Sequence, residues 1–212
     1  EILHNLIACG FTGTIIPVHP SAEEIEGLRA WPRVSDIPQA IDLAIVAVPA
    51  AHVLAAVDDC LAKGVRGICV ISAGFGGSGP EGREREAALL AKIRGAGCRL
   101  IGPNCMGLLN TDPAYSLNAT FAPVYPPAGG VAMSTQSGAL GLAILDYARR
   151  LNIGISSFVS VGNKTDVSSN DLIQYWSEDP NTSVILLYLE SFGNPRKFSE
   201  IARRVGRTKP IV

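Results

Sequence analysis

Residues 42–72 read DLAIVAVPAAHVLAAVDDCLAKGVRGICVIS, and this stretch decides the fold. Leu43–Val48 is apolar throughout, as a strand buried on both faces must be. Pro49 cannot continue a ladder, so the strand stops there and a helix begins. Val53, Leu54, Val57 and Leu61 then recur at helical spacing over Ala51–Lys63, giving that helix one apolar face. A second apolar run follows at Arg66–Ser72. Strand, helix, strand in this order predicts a right-handed crossover and a parallel sheet.

Outward from this unit the alternation continues. Further strands are expected at Thr14–Val18, Arg99–Ile101, Gly130–Ser134, Ile155–Val161, Val184–Leu189 and Pro210–Val212. Helices are expected at Ile2–Cys9, Glu81–Ala96, Gly138–Leu151, Ser169–Ser177 and Pro195–Val205. Glu81–Ala96 opens with acids and is followed by Gly97, as the helix dipole and a left-handed cap prefer. The segment Asn118–Gly130, NATFAPVYPPAGG, has no charge, three Pro and neither period. It reads as a linker, dividing the chain into units 1–121 and 129–212 joined by residues 122–128. The chain opens on a helix and closes on Pro-Ile-Val, so a first strand and a C-terminal part are expected to be missing.

Composition narrows the class. The 212 residues are 47% hydrophobic and 17% charged, which disfavours disorder. Eighteen Lys and Arg against nineteen Asp and Glu give a net charge of −1, which argues against a nucleic-acid footprint. Pro113–Leu145 is the longest uncharged stretch, but four Pro and four Gly exclude a continuous membrane helix. Five Cys, an odd number without a C-x-x-C pair, read as reduced thiols of a cytoplasmic protein. His4, His19 and His52 lack ligand spacing, so no metal site is expected.

Several strand ends carry groups suited to a ligand, because open α/β sheets bind at their carboxyl edge. Val48, Pro49, Ser72 and Ala73 lie at two such ends. Gly74–Gly79 matches G-x-G-x-x-G, yet no acid follows at the ribose-binding distance, so a flexible loop is the better reading. In Ile101–Gly107, IGPNCMG, a Gly-Pro break exposes Asn104, an amide that both donates and accepts. Cys105 beside it lacks a neighbouring His and reads as a packed or contact thiol rather than a nucleophile. Thr135, Gln136, Ser137 and Gly138 lie between a strand and an amphipathic helix. They read either as an anion pocket at a helix N-terminus or as an ordinary cap, and the two can coexist. Glu190 ends an apolar strand, where a carboxylate could orient an imidazole or simply sit in water.

The order GFTGTIIPVHP, DLAIVAVPA, GICVISAGFG, LIGPNCMGLLNT, NATFAP, MSTQSGALG, VSVGNKTDVSSNDLIQYW, ILLYLESF resembles NDP-forming acyl-CoA synthetases over essentially the whole chain. These include ADP-forming acetyl-CoA synthetase and, more distantly, the succinyl-CoA synthetase alpha subunit. The resemblance implies a Rossmann-like CoA-binding domain followed by a flavodoxin-like, parallel-sheet ligase domain. It implies acyl-CoA formation from a small carboxylic acid, CoA and ATP, with release of ADP and phosphate through a phosphohistidine. CoA would be held by Val18, His19, Pro20, Val48, Pro49, Ser72, Ala73 and Asn104. The TQSG turn would cradle the phosphoryl group, and Glu190 would contact the histidine. That histidine, in an SHTG-like segment, and the ATP-grasp part that takes ATP with Mg would lie outside these residues. The 212 residues alone are therefore expected to be inactive, working with an ATP-grasp domain or subunit in an oligomer. His19 stands where relatives carry Asn, and Gly77 where many carry an acid. The rival reading is the regulatory region of a bacterial protein lysine acetyltransferase.

Overall fold

The computed structural model describes residues 1–212. In chain order the elements are α1 (Ile2–Ala8), β1 (Glu24–Ile25), β2 (Leu28–Arg29), β3 (Leu43–Val46), α2 (Ala50–Ala62), β4 (Gly67–Val70), α3 (Gly79–Gly95) and β5 (Arg99–Ile101). There follow β6 (Gly107–Asn110), β7 (Leu117–Thr120), β8 (Ala128–Thr135), α4 (Gly138–Arg150), β9 (Ile155–Ser160), α5 (Ser169–Glu178), β10 (Val184–Tyr188) and α6 (Pro195–Val205).

Two larger sheets result, as expected for an α/β chain with Rossmann-like and flavodoxin-like halves. The first is fully parallel, in the order β3-β4-β5. Its core joins Val46, Ile68 and Val70 of the strands to Val53 and Val57 of α2 and Leu89 of α3. The second has five strands in the order β10-β8-β9-β6-β7. Its β10-β8-β9 centre is parallel, while β6 runs antiparallel to both β9 and β7. Alternating side chains fill both faces. Phe158 packs with Met133 and Leu145 on one side, and Val159 with Ile173 and Trp176 on the other. Trp176 is fully buried and its indole N–H donates to Ser157 Oγ at 2.7 Å.

Local chemistry sets the helix ends. Pro80 occupies the first turn of α3, with Lys92 and Arg94 in its last turn. Ser168 and Asp171 form a reciprocal capping box at α5. Gly141 lets α4 approach the sheet, since a Cβ there would sit 2.9 Å from both Phe158 and Thr135.

Three expectations require revision. Thr14–Val18 is not a strand. Only Val18 bridges Trp31, with His19 N–H donating to Trp31 O and Trp31 N–H to Pro17 O. Pro17 itself has no amide to extend the ladder. Second, β6 and β7 form a hairpin where no strand is expected, and β7 enters the stretch read as a linker. Buried Asn118 and Thr120 satisfy one another at 2.7 Å, so the hairpin carries little apolar alternation. Third, sheet membership changes between Ile101 and Gly107, so residues 107–120 lie in the second sheet. Residues 122–128 run from β7 to β8 within that sheet's unit and are held to it. Ala122 is buried, and Tyr125 donates to Asn110 O at 3.1 Å.

The two sheets are stitched along β5 by the segment after β9. Val167 N–H donates to Leu100 O at 3.0 Å, and Leu100 N–H donates to Asp166 Oδ2 at 3.0 Å. Asp166 also pairs with Arg99 at 2.8 Å. Thr165 N–H reaches Gly102 O and Asn163 N–H reaches Pro103 O. This seam brings the carboxyl ends of both sheets together.

Candidate functional site

Above the seam lies a cavity of about 390 Å³ to which both halves contribute. The first half supplies the turn after β5. Asn104 adopts a left-handed φ of 57°, and its N–H donates to Ser72 O at 3.0 Å. Its side chain donates to Asn163 Oδ1 at 3.3 Å across the seam. Gly162, at φ 52°, backs directly onto this turn, and a Cβ there would run into the carbonyl oxygens of Pro103 and Asn104. Only glycine permits that approach.

The second half supplies the start of α4. Ser137 is the N-cap, and its hydroxyl accepts from Leu140 N–H at 3.3 Å. The first-turn amides of Gly138 and Ala139 have no carbonyl in a preceding turn, leaving donors at the positive end of the helix. Gln136 works differently. Its side-chain oxygen accepts from Glu190 N–H at 2.8 Å, Ser191 N–H at 2.9 Å and Lys164 Nζ at 3.3 Å. It thereby ties the Glu190 loop to the TQSG turn. Lys164 Nζ also donates to Ser191 Oγ at 2.6 Å. Burial pulls the Lys164 ammonium below its ordinary value, against the opposing pull of Glu190.

The cavity thus gathers Asn104, Gln136, Ser137, Gly138 and Glu190 from the expected set. Thr135 is fully buried and its hydroxyl donates to Ser137 O at 2.8 Å, so it shapes the turn without lining the cavity. Ser72 donates to Val48 O at 2.5 Å, clamping the carboxyl ends of β3 and β4, with Pro49 and Ala73 exposed beside them. Val18 is partly exposed. His19 and Pro20 line a separate cavity of about 480 Å³ together with Arg29 and Glu23. There His19 Nδ1 accepts from Ala22 N–H at 3.0 Å, and Arg29 stacks over Trp31 at 4.2 Å.

Asn163, Lys164 and Arg29 were not singled out as site residues. Asn163 and Lys164 lie in the turn beyond the carboxyl end of β9, the position to which the carboxyl-edge rule points for Glu190 as well. The glycine loop at 74–79 is closed. Glu86 Oε2 accepts from Gly76 N–H at 2.8 Å and from Asn163 Nδ2 at 2.7 Å, and Arg85 holds Gly74 O. The Gly76 amide is therefore already taken.

Residues 1–111 match the family described as CoA binding domain, and residues 128–212 match the succinyl-CoA ligase like flavodoxin domain. The chain belongs to the CoA-binding domain family. As a member it is 44% identical over 202 residues to an acetate–CoA ligase (ADP-forming) I of Archaeoglobus fulgidus, covering 95% of this chain and 29% of the relative. The alpha subunit of acetate–CoA ligase (ADP-forming) I of Pyrococcus furiosus is 40% identical, covering 100% of this chain and 46% of the relative. Among solved structures, the dinucleotide-forming acetyl-coenzyme A synthetase 1 of Ca. Korarchaeum cryptofilum, in complex with phosphate and ADP, aligns with a TM-score of 0.94 and 45% identity. That alignment covers 99% of this chain and 45% of the other. The chain therefore spans less than half the length of these relatives. The resemblance to NDP-forming acyl-CoA synthetases read from the motifs is borne out.

Proposed function

We propose that the chain is the CoA-binding and ligase alpha-type region of an acyl-CoA synthetase that makes acyl-CoA, ADP and phosphate from a small carboxylic acid, CoA and ATP. The observation that carries this reading is the convergence of the Asn104 turn and the Ser137–Gly138 helix start on one cavity, with Glu190 at its rim. The residues fit the chemistry. A phosphoryl group needs preorganised N–H donors, which the start of α4 provides without a positively charged side chain. The Asn104 amide suits the amide-bearing arm of CoA, and Val48, Pro49, Ser72 and Ala73 line the strand ends it would cross. The cavity holding His19, Pro20 and Arg29 offers a cation, stacked over Trp31, that would meet the nucleotide end.

Glu190 would orient a phosphorylated histidine supplied by another part of the protein. ATP with Mg would bind an ATP-grasp domain or subunit, within a cytoplasmic oligomer. No helix is long and apolar enough to cross a membrane. Relatives named as CoA ligases favour this reading over the acetyltransferase-associated one. Titration calorimetry with CoA and desulfo-CoA tests it. Both are expected to give heat that the Asn104→Ala variant weakens about tenfold, roughly 1.4 kcal/mol. No heat from either ligand with the folded protein would overturn the site.

A further inference from the structure

The seam hides a pair of nucleophilic side chains that the proposed reaction does not use. Cys69 Sγ, in β4, lies 3.6 Å from Cys105 Sγ, in the turn after β5. Cys69 is completely buried. Cys105 is 5% exposed and lines the cavity. The other three thiols, Cys9, Cys60 and Cys98, are not in sulfur–sulfur contact.

We propose that Cys105 and Cys69 are a peroxide-responsive dithiol, Cys105 being the thiol attacked from the cavity and Cys69 the thiol that resolves it into a disulfide. The asymmetry of the pair assigns the roles. Only Cys105 meets the cavity, and the hydrogen bond from Cys69 holds the Cys105 thiol below its ordinary value, helped by the Gly107 amide. The same contact, with burial, pushes Cys69 up. Peroxide in the cavity can reach the thiolate of Cys105 but not the fully enclosed thiol of Cys69.

In the first step the Cys105 thiolate attacks one peroxide oxygen. The O–O bond breaks, hydroxide leaves and takes up a proton, and Cys105 becomes a sulfenic acid. In the second step Cys69 sulfur attacks Cys105 sulfur and gives up its proton. The S–O bond breaks and water leaves. Two thiols and one hydrogen peroxide thus give one disulfide and two waters. The sulfurs must close by about 1.5 Å to reach a bonded separation. That movement draws on the turn whose Cys105 Sγ donates to Val70 O at 3.3 Å and whose Asn104 N–H donates to Ser72 O at 3.0 Å. Oxidation therefore displaces Asn104, the residue at the cavity mouth.

The test is a peptide map of the full chain, reduced, freed of reductant under argon and exposed to hydrogen peroxide. The tryptic peptides Gly67–Arg83 and Leu100–Arg149 carry the two thiols. They are expected to run as one species lighter by two hydrogens, split again by dithiothreitol. In Cys69→Ala the cross-link is lost and Cys105 is trapped by dimedone as sulfenic acid. In Cys105→Ser, Cys69 stays reduced. Separate peptides with both thiols still alkylatable, at a peroxide dose that oxidises Cys9, would overturn the proposal. So would oxidation of Cys69 at the wild-type rate in Cys105→Ser. Should either variant fail to fold, the wild-type map alone decides. The readout is a mass, so it does not depend on CoA binding.

Discussion

The turns after β4 and β8 look alike and behave oppositely. Each leaves the carboxyl end of a parallel strand, is rich in small residues and starts a helix. At Gly74–Gly79 the chain spends its own groups, with Glu86 on the Gly76 amide and Arg85 on the Gly74 carbonyl. At Thr135–Gly138 the cap is neutral and the turn opens into the cavity. A carboxylate bonded to the first turn's amide takes the donor that a phosphate would need, whereas Glu190 lines the second turn's cavity without being bonded to its amides. The glycine pattern specifies backbone shape, whereas the charge that arrives from elsewhere decides whether that shape binds an anion.

The largest effect expected is at the closed turn. Glu86→Ala would strand the Gly76 N–H and the Asn163 side-chain N–H without an acceptor, lowering stability by about 2 kcal/mol in urea unfolding. An unchanged midpoint would remove Glu86 as the reason the turn is closed. Next comes the open turn. Ser137→Ala loses the bond from Leu140 N–H and is expected to cost about 1 kcal/mol of stability. Its affinity for inorganic phosphate should fall further than its stability does. Equal losses in both would make Ser137 a cap alone.

The smallest effect belongs to a third helix start, the capping box of α5, which serves as a reference. Burial alone would raise the Asp171 carboxyl, but bonds from the Ser168 hydroxyl and amide outweigh it and hold it below its ordinary value of 3.8. A folded value below the unfolded one contributes stability at neutral pH. That contribution fades as pH falls below the ordinary value and through the depressed one. Asp171→Asn should flatten the acid limb of the stability profile by under about 1 kcal/mol, since the side chain is partly solvated. A steeper acid limb in the variant would contradict the assignment.

Much of the fold was legible because buried parallel strands are written as unbroken apolar runs. Leu43–Val48 and Val184–Leu189 could be read within a residue or two of β3 and β10. The β6-β7 hairpin could not, because its inward polar residues pair with each other and erase the period-two signal. Thr14–Val18 has the β-branched residues of a strand, but Pro17 offers no amide to the ladder and only Val18 bridges Trp31. For the site, strand-end position pointed to Asn104, Ser137 and Glu190, which the structure gathers at one cavity. The bond between Asn104 and Asn163 spans 59 residues, so no local pattern foretold it. Thr135 shows the limit from the other side. Its hydroxyl reads as a ligand donor until the structure turns it onto its own turn.

The bonds that Thr165 and Val167 make along Gly102 and Leu100 carry one more consequence. β5 is the last strand of its sheet, and a bare rim of amides and carbonyls invites a stranger's strand to add itself. The stitching segment fills that place with the protein's own backbone. A truncated first half, released without it, would bare that flank to pairing with a foreign strand, so each half shields the other's backbone.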